Sequence, residues 1–505
     1  MNGNFPDVPD NISETSLLQL IRDTLEGNAN QERERRKNYE TYWNIYNGIT
    51  RTWLKTVDVE NPIYINYGRA LIDRSVGFII GSEGKGLKVK ARLGEEQVVD
   101  QETAEKLDKI NNIINSIFRR LERDRLLQRA YQTGFVTGDV FLKPYIVERN
   151  GQPWRIDVML YDPSFCQVIY ATNDIDDLEE VEITYPVVRR SFLSSVKSPL
   201  KELNKESKKM LFRREIYTKE LIYVEEDGKK VLEKQHNYQE VPIVHIRNME
   251  VAGKWYGMSD LKDIKPILEE LSYKATELRD ILNYHAKPFL LVINAGEDLV
   301  LDRKATSALY LPQESDVRYV QLPTMGAEHE SFIEFLLTAL HEITAVPKGM
   351  LGEIRDVSNL TGSALSWRYQ ALESKMANKK ACYAAGFGRL ARLMLKACHY
   401  SGIHRIDESW LKDIYFDVEF PSPYPKNEYN QLNLDIQKIN AGLESRLAVL
   451  KREGMTEEEA LKELERISKE NAEIARAEQP WVNLYEGLGE TSTSSEEETE
   501  TEDEE

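Results

Sequence analysis

The chain of 505 residues is 41% hydrophobic and 30% charged, which describes a globular protein with a sizeable core and about two to four domains. Its net charge of −19 argues against a protein that grips nucleic acid over its whole surface. No apolar run approaches the ~20 residues that cross a bilayer, and residues 1–7 lack the regions of a signal peptide. We therefore expect no membrane contact and a protein that stays in the cytoplasm where it is made.

The charge is distributed unevenly along the chain. Residues 496–505 hold eight acidic side chains and no basic one, so the remainder of the chain carries −11. Residues 361–400 are basic instead, and their only acidic residue is Glu373. The basic residues there are Arg368, Lys375, Lys379, Lys380, Arg389, Arg392 and Lys396.

The first half of the chain predicts helices followed by a β-rich block. Apolar spacing predicts two helices within residues 1–50 and further helical segments at residues 66–80 and 103–134. Alternation predicts strands at residues 87–91 and 140–147. From Trp154 to Glu240 a two-residue period dominates, including a hairpin from residues 216–224 to residue 231 onward across Asp227-Gly228.

A long amphipathic segment, residues 257–286, occupies the centre of the chain. Ser259 can cap its start, and Pro266, which lacks an amide hydrogen, predicts either a kink or a true start near that residue. Its apolar positions alternate spacings of three and four, as one face of a helix requires. They are Leu261, Ile264, Leu268, Leu271, Ala275, Leu278 and Leu282. On periodicity alone this segment is an ordinary amphipathic core helix.

A second amphipathic helix, residues 328–346, follows a small α/β insertion at residues 287–327. Its predicted apolar stripe is Phe332, Leu336, Ala339 and Ile343. Two helices that enter and leave one insertion must lie side by side, so we predict an antiparallel pair with the insertion at its tip. Each helix has more apolar surface than one partner covers, and a ring of copies around an axis would bury the remainder.

The last part of the chain predicts a loop, a long basic helix and a helical end. Residues 348–359 lack periodicity, whereas residues 362–399 form a helix that Gly386 and Gly388 weaken. A strand at 414–420 and helices at 427–440 and 456–477 follow, and the composition beyond Pro480 predicts disorder. The predicted fold class is α+β, mainly helical.

The sequence contains no complete catalytic or metal-binding motif. His329 and His341 are each followed by glutamate but lack the second histidine of a zinc peptidase. The glycines at 386 and 388 match a dinucleotide fingerprint only inside a predicted helix. Three cysteines, at 166, 382 and 398, are too few and too scattered for a disulfide framework or a thiolate site. We therefore expect no catalytic residue, no metal and no cofactor, and three reduced, buried cysteines.

Several segments resemble the portal proteins of tailed bacteriophages, in particular the large group from phages of Gram-positive and thermophilic hosts. The strongest match is Pro-Ile-Val-His-Ile-Arg-Asn at 242–248, followed by Gly-Met-Ser-Asp-Leu-Lys-Asp-Ile at 257–264. A second is Asn-Leu-Thr-Gly-Ser-Ala-Leu at 359–365. Further matches are 66–81, 134–145 leading to 161–163, 441–445, 464–467 and Glu470. They follow the family order over about residues 39–475, and the ordered set carries the resemblance.

The resemblance implies a portal fold whose parts can be placed on this chain. Residues 1–256 would form the wing, 257–286 the first stem helix, 287–327 a small α/β clip and 328–346 the second stem helix. Residues 347–360 would form the tunnel loop, 361–425 the long wing and channel helix with a returning strand, 426–480 a helical crown, and 481–505 a disordered acidic tail.

The resemblance also implies a structural function without enzymatic activity. Portals of this family assemble as dodecameric rings at one capsid vertex and form the conduit for double-stranded DNA during packaging and ejection. Expected partners are further copies of the chain, the terminase large subunit, the head-to-tail adaptor, and the major capsid and scaffolding proteins. The protein would lie in the virion, and in the host cytoplasm during assembly.

The tunnel loop is the expected DNA contact. Each added phosphate contact steepens affinity through counterion release, so a conduit should contact sliding DNA sparingly. We hypothesise that Lys348, Arg355 and Lys375 make isolated, exchangeable phosphate contacts, and that Glu353 and Asp356 limit adhesion in a loop that ends at Asn359. The alternative is an ordinary solvated surface loop.

Two other functions stay open at this point. A head-to-tail connector without a packaging role is one, although such connectors are generally shorter and would leave the wing and crown without a purpose. The other is a nuclease with a divalent metal at Asp174, Asp176 and Asp177, a cluster that is more typical of a solvated turn.

Overall fold

A computed structural model describes residues 14–54, 62–81, 86–93, 101–171, 174, 176–188, 210–285, 289–293, 316–320, 326–351, 362–404, 406, 411, 414–423, 428–452, 455 and 457–489. The chain divides into two compact units, Met1–Pro423 and Tyr424–Glu505. The first unit mixes helices and strands, and the described part of the second is helical, so the α+β prediction is confirmed.

The helices of the first unit are α1 (Glu14–Asn47), α2 (Tyr67–Ile80), α3 (Gln101–Arg123), α4 (Leu126–Thr137), α5 (Lys265–His285), α6 (Gly326–Thr344) and α7 (Gly362–Ser401). The second unit contains α8 (Glu428–Asn440), α9 (Arg446–Arg452) and α10 (Glu457–Gly489). The strands are β1 (Lys88–Leu93), β2 (Asp139–Arg149), β3 (Gln152–Tyr161), β4 (Cys166–Tyr170), β5 (Leu178–Val188), β6 (Met210–Thr218), β7 (Leu221–Glu226), β8 (Lys229–Gln235), β9 (Val244–Arg247), β10 (Phe289–Ile293), β11 (Asp316–Val320) and β12 (Ile414–Glu419).

Two helix boundaries differ from the sequence-based prediction. The two helices expected within residues 1–50 are one helix, α1, because the polar segment between their apolar positions contains no proline and continues the helix. The helical region expected at 103–134 is two helices, since Arg125 adopts a left-handed conformation with φ of 58°. By contrast, α2 begins after Asn66, whose side chain accepts the amide hydrogen of Arg69, and ends at Gly81 as predicted.

Within the described part of the chain, the strands form four antiparallel sheets. The largest is a meander of five strands in the order β4-β5-β6-β7-β8, and a three-stranded sheet has the order β3-β2-β9. The hairpin predicted across Asp227-Gly228 is confirmed as β7 and β8, with positive φ at both turn residues. The strand predicted at 216–224 is instead interrupted, because the chain turns between β6 and β7 with the Thr218 hydroxyl accepting the amide hydrogen of Leu221.

The long helix α7 lies at the centre of the first unit. It contacts β2, β3, β9, β12 and α3, and its buried side chains include Met376, Tyr383 and Phe387. The glycines expected to weaken it permit close packing: a Cβ on Gly386 would lie 2.5 Å from Ile246 Cγ1, and one on Gly388 2.9 Å from the Phe416 carbonyl oxygen. These glycines therefore belong to a helix packed against two strands, not to a nucleotide-binding turn.

The second unit is helical, as expected for residues 426–480. The prediction of disorder from residue 481 is wrong for residues 481–489, which continue α10. Trp481, Leu484 and Leu488 repeat at helical spacing, a pattern that outweighs Pro480 as a stop signal. Within the described helices, none is long and apolar enough to cross a membrane.

Candidate functional site

Helices α5 and α6 form a pair that is linked through the hairpin of β10 and β11. The ammonium group of Lys274 on α5 lies 5.8 Å from the ring centroid of Phe332 on α6. One turn further along α5, burial opposes the ionisation of Glu277, but hydrogen bonds from Lys274 and Tyr273 lower the pKa of its carboxyl, and nearby His329 of α6 adds to that shift. Since increasing residue numbers on α5 meet decreasing numbers on α6, the two helices are antiparallel, as predicted.

The apolar stripe predicted on α5 divides into a buried part and an exposed part. Leu261, Ile264, Leu268 and Leu271 are buried, and Leu261 and Leu268 pack beside Gly68 of α2. Leu278 is half-buried, and the side chain of Leu282 is 60% exposed. Pro266 is the second residue of α5, so the late start is confirmed: a first-turn residue needs no amide hydrogen bond. The apolar face of α5 is therefore buried near the start of the helix and exposed near the end that leads to β10.

The apolar stripe predicted on α6 contains both buried and exposed side chains within one chain. Leu336 is buried, but Phe332 and Ile343 are exposed, and the buried face runs through Leu336, Leu340 and Thr344 instead. Apolar residues occur around most of this helix, so their spacing alone does not determine which face turns inward. The exposed face includes Phe335, which is 63% exposed.

One ionic cluster lies where α5 begins and α6 ends. The Asp260 carboxylate pairs with Lys379 Nζ through Oδ2 and lies 3.2 Å from Lys375 Nζ through Oδ1. Lys375 Nζ also donates a 3.2 Å hydrogen bond to the carbonyl oxygen of Thr344, the last residue of α6. We call Asp260, Thr344, Lys375 and Lys379 the base cluster, because it joins both helices of the pair to α7.

Burial dominates the electrostatics of the base cluster. Lys379 is fully buried with Nζ 3.5 Å from the centroid of the Phe135 ring, and burial lowers its pKa from 10.5 to about 8 against the attraction of Asp260. Burial of Asp260 opposes its ionisation, but the two lysines hold the pKa of its carboxyl below the usual value. The cluster thus contains two ammonium groups and a single carboxylate.

Several basic side chains of the predicted basic helix, α7, contact other parts of the first unit. The ammonium group of Lys375 is paired with Asp260 and donates to the Thr344 carbonyl oxygen, and its predicted phosphate contact stays a prediction. Lys379 is buried, and Lys380 Nζ lies 5.7 Å from the centroid of the Phe420 ring. Arg368 belongs to α7, but its side chain lies outside the described part of the chain.

The predicted tunnel loop is only partly described. Lys348 begins a short 3-10 turn, Lys348–Leu351, and its Nζ donates a 3.4 Å hydrogen bond to Thr338 Oγ1 on α6. Glu353, Arg355, Asp356 and Asn359 lie outside the described residues. Their expected contact with DNA therefore stays a prediction.

The two segments of the strongest sequence match meet in the structure. Gly257 and Gly138 face each other so closely that a Cβ on Gly257 would lie 2.3 Å from the Gly138 carbonyl oxygen. Asn248 donates from its side chain to the Met258 carbonyl oxygen at 3.1 Å and from its backbone to Gly138 at 2.8 Å. The amide of Gly257 donates to Asp139 Oδ1 at 2.8 Å. These contacts fix the chain just before α5.

Sequence reasoning missed Asp139 and His245, which form a fully buried pair. His245 stacks on Phe141 with ring centroids 4.5 Å apart and hydrogen-bonds both Asp139 and the Tyr170 hydroxyl. The available signal was a polar residue at a buried position of each strand: Asp139 opens β2 beside Val140 and Phe141, and His245 interrupts the apolar strand β9. A buried polar residue requires partners, so each could have been assigned a structural role.

The acidic cluster considered for a nuclease is a turn with ion pairs. The amide of Asp176 donates to Asp174 Oδ1 at 2.9 Å, and the carboxylate of Asp176 pairs with Arg247 at 2.5 Å. Asp177 pairs with Lys219 at 2.7 Å. Across the described residues, no group of three or more histidine, cysteine, aspartate or glutamate side chains could hold a metal ion. The solvated-turn interpretation accounts for these residues.

Comparisons with known proteins agree with the resemblance in sequence. No curated protein matches the chain. A solved structure titled "Virion of native gene transfer agent (GTA) particle" is 12% identical, with a TM-score of 0.41, and the match covers 79% of this chain and 89% of that one. A family model described as "Phage portal protein, SPP1 Gp6-like" matches residues 27–477. The chain therefore belongs to this family of phage portal proteins.

Proposed function

We propose that the chain assembles into a dodecameric ring at one capsid vertex and forms the conduit through which double-stranded DNA is packaged and ejected. The observation that carries this proposal is the family match over residues 27–477, which spans both units of the chain. The portal family is structural, which supports a role in the virion without catalysis. A closed ring of this kind would require two different, mutually complementary surfaces on each copy, so that one heterologous contact repeats around the axis.

The pair of α5 and α6 is the proposed stem, where neighbouring copies meet. Its exposed apolar side chains are Leu282, Phe332, Phe335 and Ile343. Contiguous exposed apolar surface is costly in a monomer and marks an interaction site. A second copy of the chain is the partner that would cover it, because the ring places identical helix pairs side by side.

The segment between the stem helices, residues 287–327, is the proposed clip. Its described part is the antiparallel hairpin in which Phe289 pairs with Val320 and Ile293 with Asp316. This hairpin connects the ends of α5 and α6 opposite the base cluster, so it projects from the tip of the pair. We propose it as the docking site of the terminase large subunit and later of the head-to-tail adaptor. Residues 1–256, as the wing, would face the major capsid and scaffolding proteins.

The charge distribution suits a conduit with low adhesion to DNA. The second unit contains 22 acidic and nine basic residues, a net charge of −13 out of −19 for the whole chain. An acidic collar repels the phosphate backbone, whereas a strongly basic one would hold it through counterion release. We propose that the second unit, as the crown, keeps packaged DNA from adhering to the ring.

Counting subunits in the purified protein tests the proposal directly. Native mass measurement and electron microscopy should find closed rings at micromolar concentration, with 12 copies where the capsid vertex templates assembly. A protein that stays monomeric both alone and with scaffolding and capsid proteins would contradict the portal function. A ring that supports tail attachment but not DNA packaging would favour the connector function instead.

A further inference from the structure

The base cluster holds the two helices of the pair at their common end. Because α5 and α6 are antiparallel, the turn that leads into α5 and the last residue of α6 lie side by side. Asp260 belongs to that turn, and its amide donates a 3.1 Å hydrogen bond to the Phe135 carbonyl oxygen of α4. Ser259 beside it donates from Oγ to the Val136 carbonyl oxygen at 2.5 Å. The turn is thus anchored in the first unit before α5 begins.

The end of α6 has a different kind of attachment. The chain leaves the helix at Ala345, which adopts a positive φ of 59°, and Pro347 follows. The carbonyl oxygens of a last helical turn lack amide donors, and they favour a cation because of the helix dipole. The carbonyl oxygen of Thr344 accepts a 3.2 Å hydrogen bond from Lys375 Nζ of α7. The lysine therefore connects the end of α6 to a helix that is distant in sequence.

The two lysines of the base cluster have separable tasks. Lys379 occupies one carboxylate oxygen of Asp260 and is fully buried, whereas Lys375 occupies the other and is 21% exposed. If Lys375 is removed, the buried pair of Asp260 and Lys379 stays intact, so the core keeps its charge balance. The ion pair of Lys375 with Asp260 Oδ1 and the hydrogen bond that reaches the end of α6 are the two contacts that disappear.

We propose that Lys375 is a positioning residue that latches the end of α6 to the turn before α5, so that the helix pair is held in one orientation on α7. Its single ammonium group lies 3.2 Å from an acceptor in the turn before α5 and 3.2 Å from an acceptor at the end of α6. This inference rests on contacts within one chain and stands independently of the proposed portal function. For any assembly built from this pair, the latch sets the direction in which its apolar face points.

Hydrogen–deuterium exchange of the full-length protein tests the latch. A Lys375→Met variant keeps an unbranched apolar side chain that is one atom shorter and removes the charge and the hydrogen-bond donors. Loss of a hydrogen bond to a charged group should accelerate amide exchange over residues 340–346 by about tenfold or more, because such bonds are the strong ones. Exchange in β4 to β8 should stay as in the wild type. Lys375→Arg, which retains the charge and donors, should restore slow exchange.

Lys380→Met is the matched control, since Lys380 lies on the same helix beside the Phe420 ring, outside the base cluster. It should leave exchange at residues 340–346 unchanged. Unchanged exchange there in Lys375→Met would overturn the latch. Faster exchange throughout the first unit, or a failure of Lys375→Arg to restore protection, would overturn it as well, since either result means a general packing role.

Discussion

His245 Nε2 lies 2.8 Å from Asp139 Oδ1 at a place where neither side chain is exposed to solvent. Asp139 also accepts hydrogen bonds from the Tyr39 hydroxyl and the Gly257 amide, so its carboxylate acts as an acceptor and Nε2 carries the hydrogen. Nδ1, 2.8 Å from the Tyr170 hydroxyl, then acts as an acceptor. This network selects one neutral tautomer of the imidazole and ties α1, β2, β4 and β9 together.

Acid should destabilise the protein through His245. Burial lowers the pKa of His245 below its usual 6.5, so the unfolded chain takes up a proton at this residue at a higher pH than the folded chain. The stability that this group contributes is therefore present above pH 6.5 and is lost as the pH falls below it. Thermal unfolding at about pH 7.5 and about pH 5.5 should show a drop in midpoint that a His245→Gln variant largely lacks.

His329 provides the control for this prediction. It is half-buried on α6, and a His329→Gln variant should keep the full drop in midpoint between the two pH values. An equal drop in the wild type and in His245→Gln would show that the acid sensitivity arises elsewhere.

Glycine-to-alanine substitutions in two helices should have opposite effects. In α7, a Cβ on Gly386 would lie 2.5 Å from Cγ1 of the buried Ile246, so Gly386→Ala should reduce the free energy of unfolding by about 1–3 kcal/mol. In α2, a Cβ on Gly77 would meet no atom within 4 Å, and Gly77→Ala should raise the free energy of unfolding by about 0.5–1 kcal/mol. Urea denaturation measures both changes, and a stabilising Gly386→Ala would contradict the close packing of α7 on β9.

Local signals predicted the helix pair and most strands, because hydrophobic period and turn residues act over a few residues. Pro266 marked the start of α5, and Asp227-Gly228 marked a hairpin, from the chemistry of the residues themselves. The antiparallel arrangement followed from connectivity. These local signals do not identify which residue, distant in sequence, will lie beside a given side chain in the folded protein.

Sequence patterns are least informative where a residue distant in sequence determines the contact. Lys375 belongs to a basic helix, and only the structure shows Asp260 and Thr344 beside it. The face of α6 that turns inward depends on contacts made elsewhere, since the helix is apolar around most of its circumference. Asp139 and His245 are 106 residues apart, so their pairing leaves no local pattern. Long-range polar contacts of this kind can be identified only from the folded structure.

Ring assembly should depend on the exposed part of α5 and α6. Leu282→Asp and Phe335→Asp place a charge on side chains that are 60% and 63% exposed within one chain. Each should abolish rings, because the charge would be buried against the neighbouring copy without a partner, while circular dichroism of the monomer stays near that of the wild type. Sedimentation or native mass measurement reports the loss of rings.

Leu271→Asp is the contrasting variant. Leu271 lies in the same predicted stripe, but it is only 5% exposed within the chain. A carboxylate there should unfold or loosen the monomer itself, with loss of helical signal, rather than prevent assembly alone. Intact rings in Leu282→Asp and Phe335→Asp would remove this surface from the subunit interface.

DNA retention should depend weakly and electrostatically on the start of the predicted tunnel loop. A Lys348→Ala, Arg355→Ala double variant of the assembled ring should bind double-stranded DNA less tightly and with a smaller dependence on salt. The slope of log affinity against log salt concentration should become shallower by about 0.9 for each phosphate that the variant no longer neutralises. Lys380→Ala is the control: it also removes one positive charge, but from an ammonium group that lies beside the Phe420 ring and outside the predicted loop. If the double variant packages and retains DNA as the wild type does, with the same salt slope, Lys348 and Arg355 have no part in DNA contact.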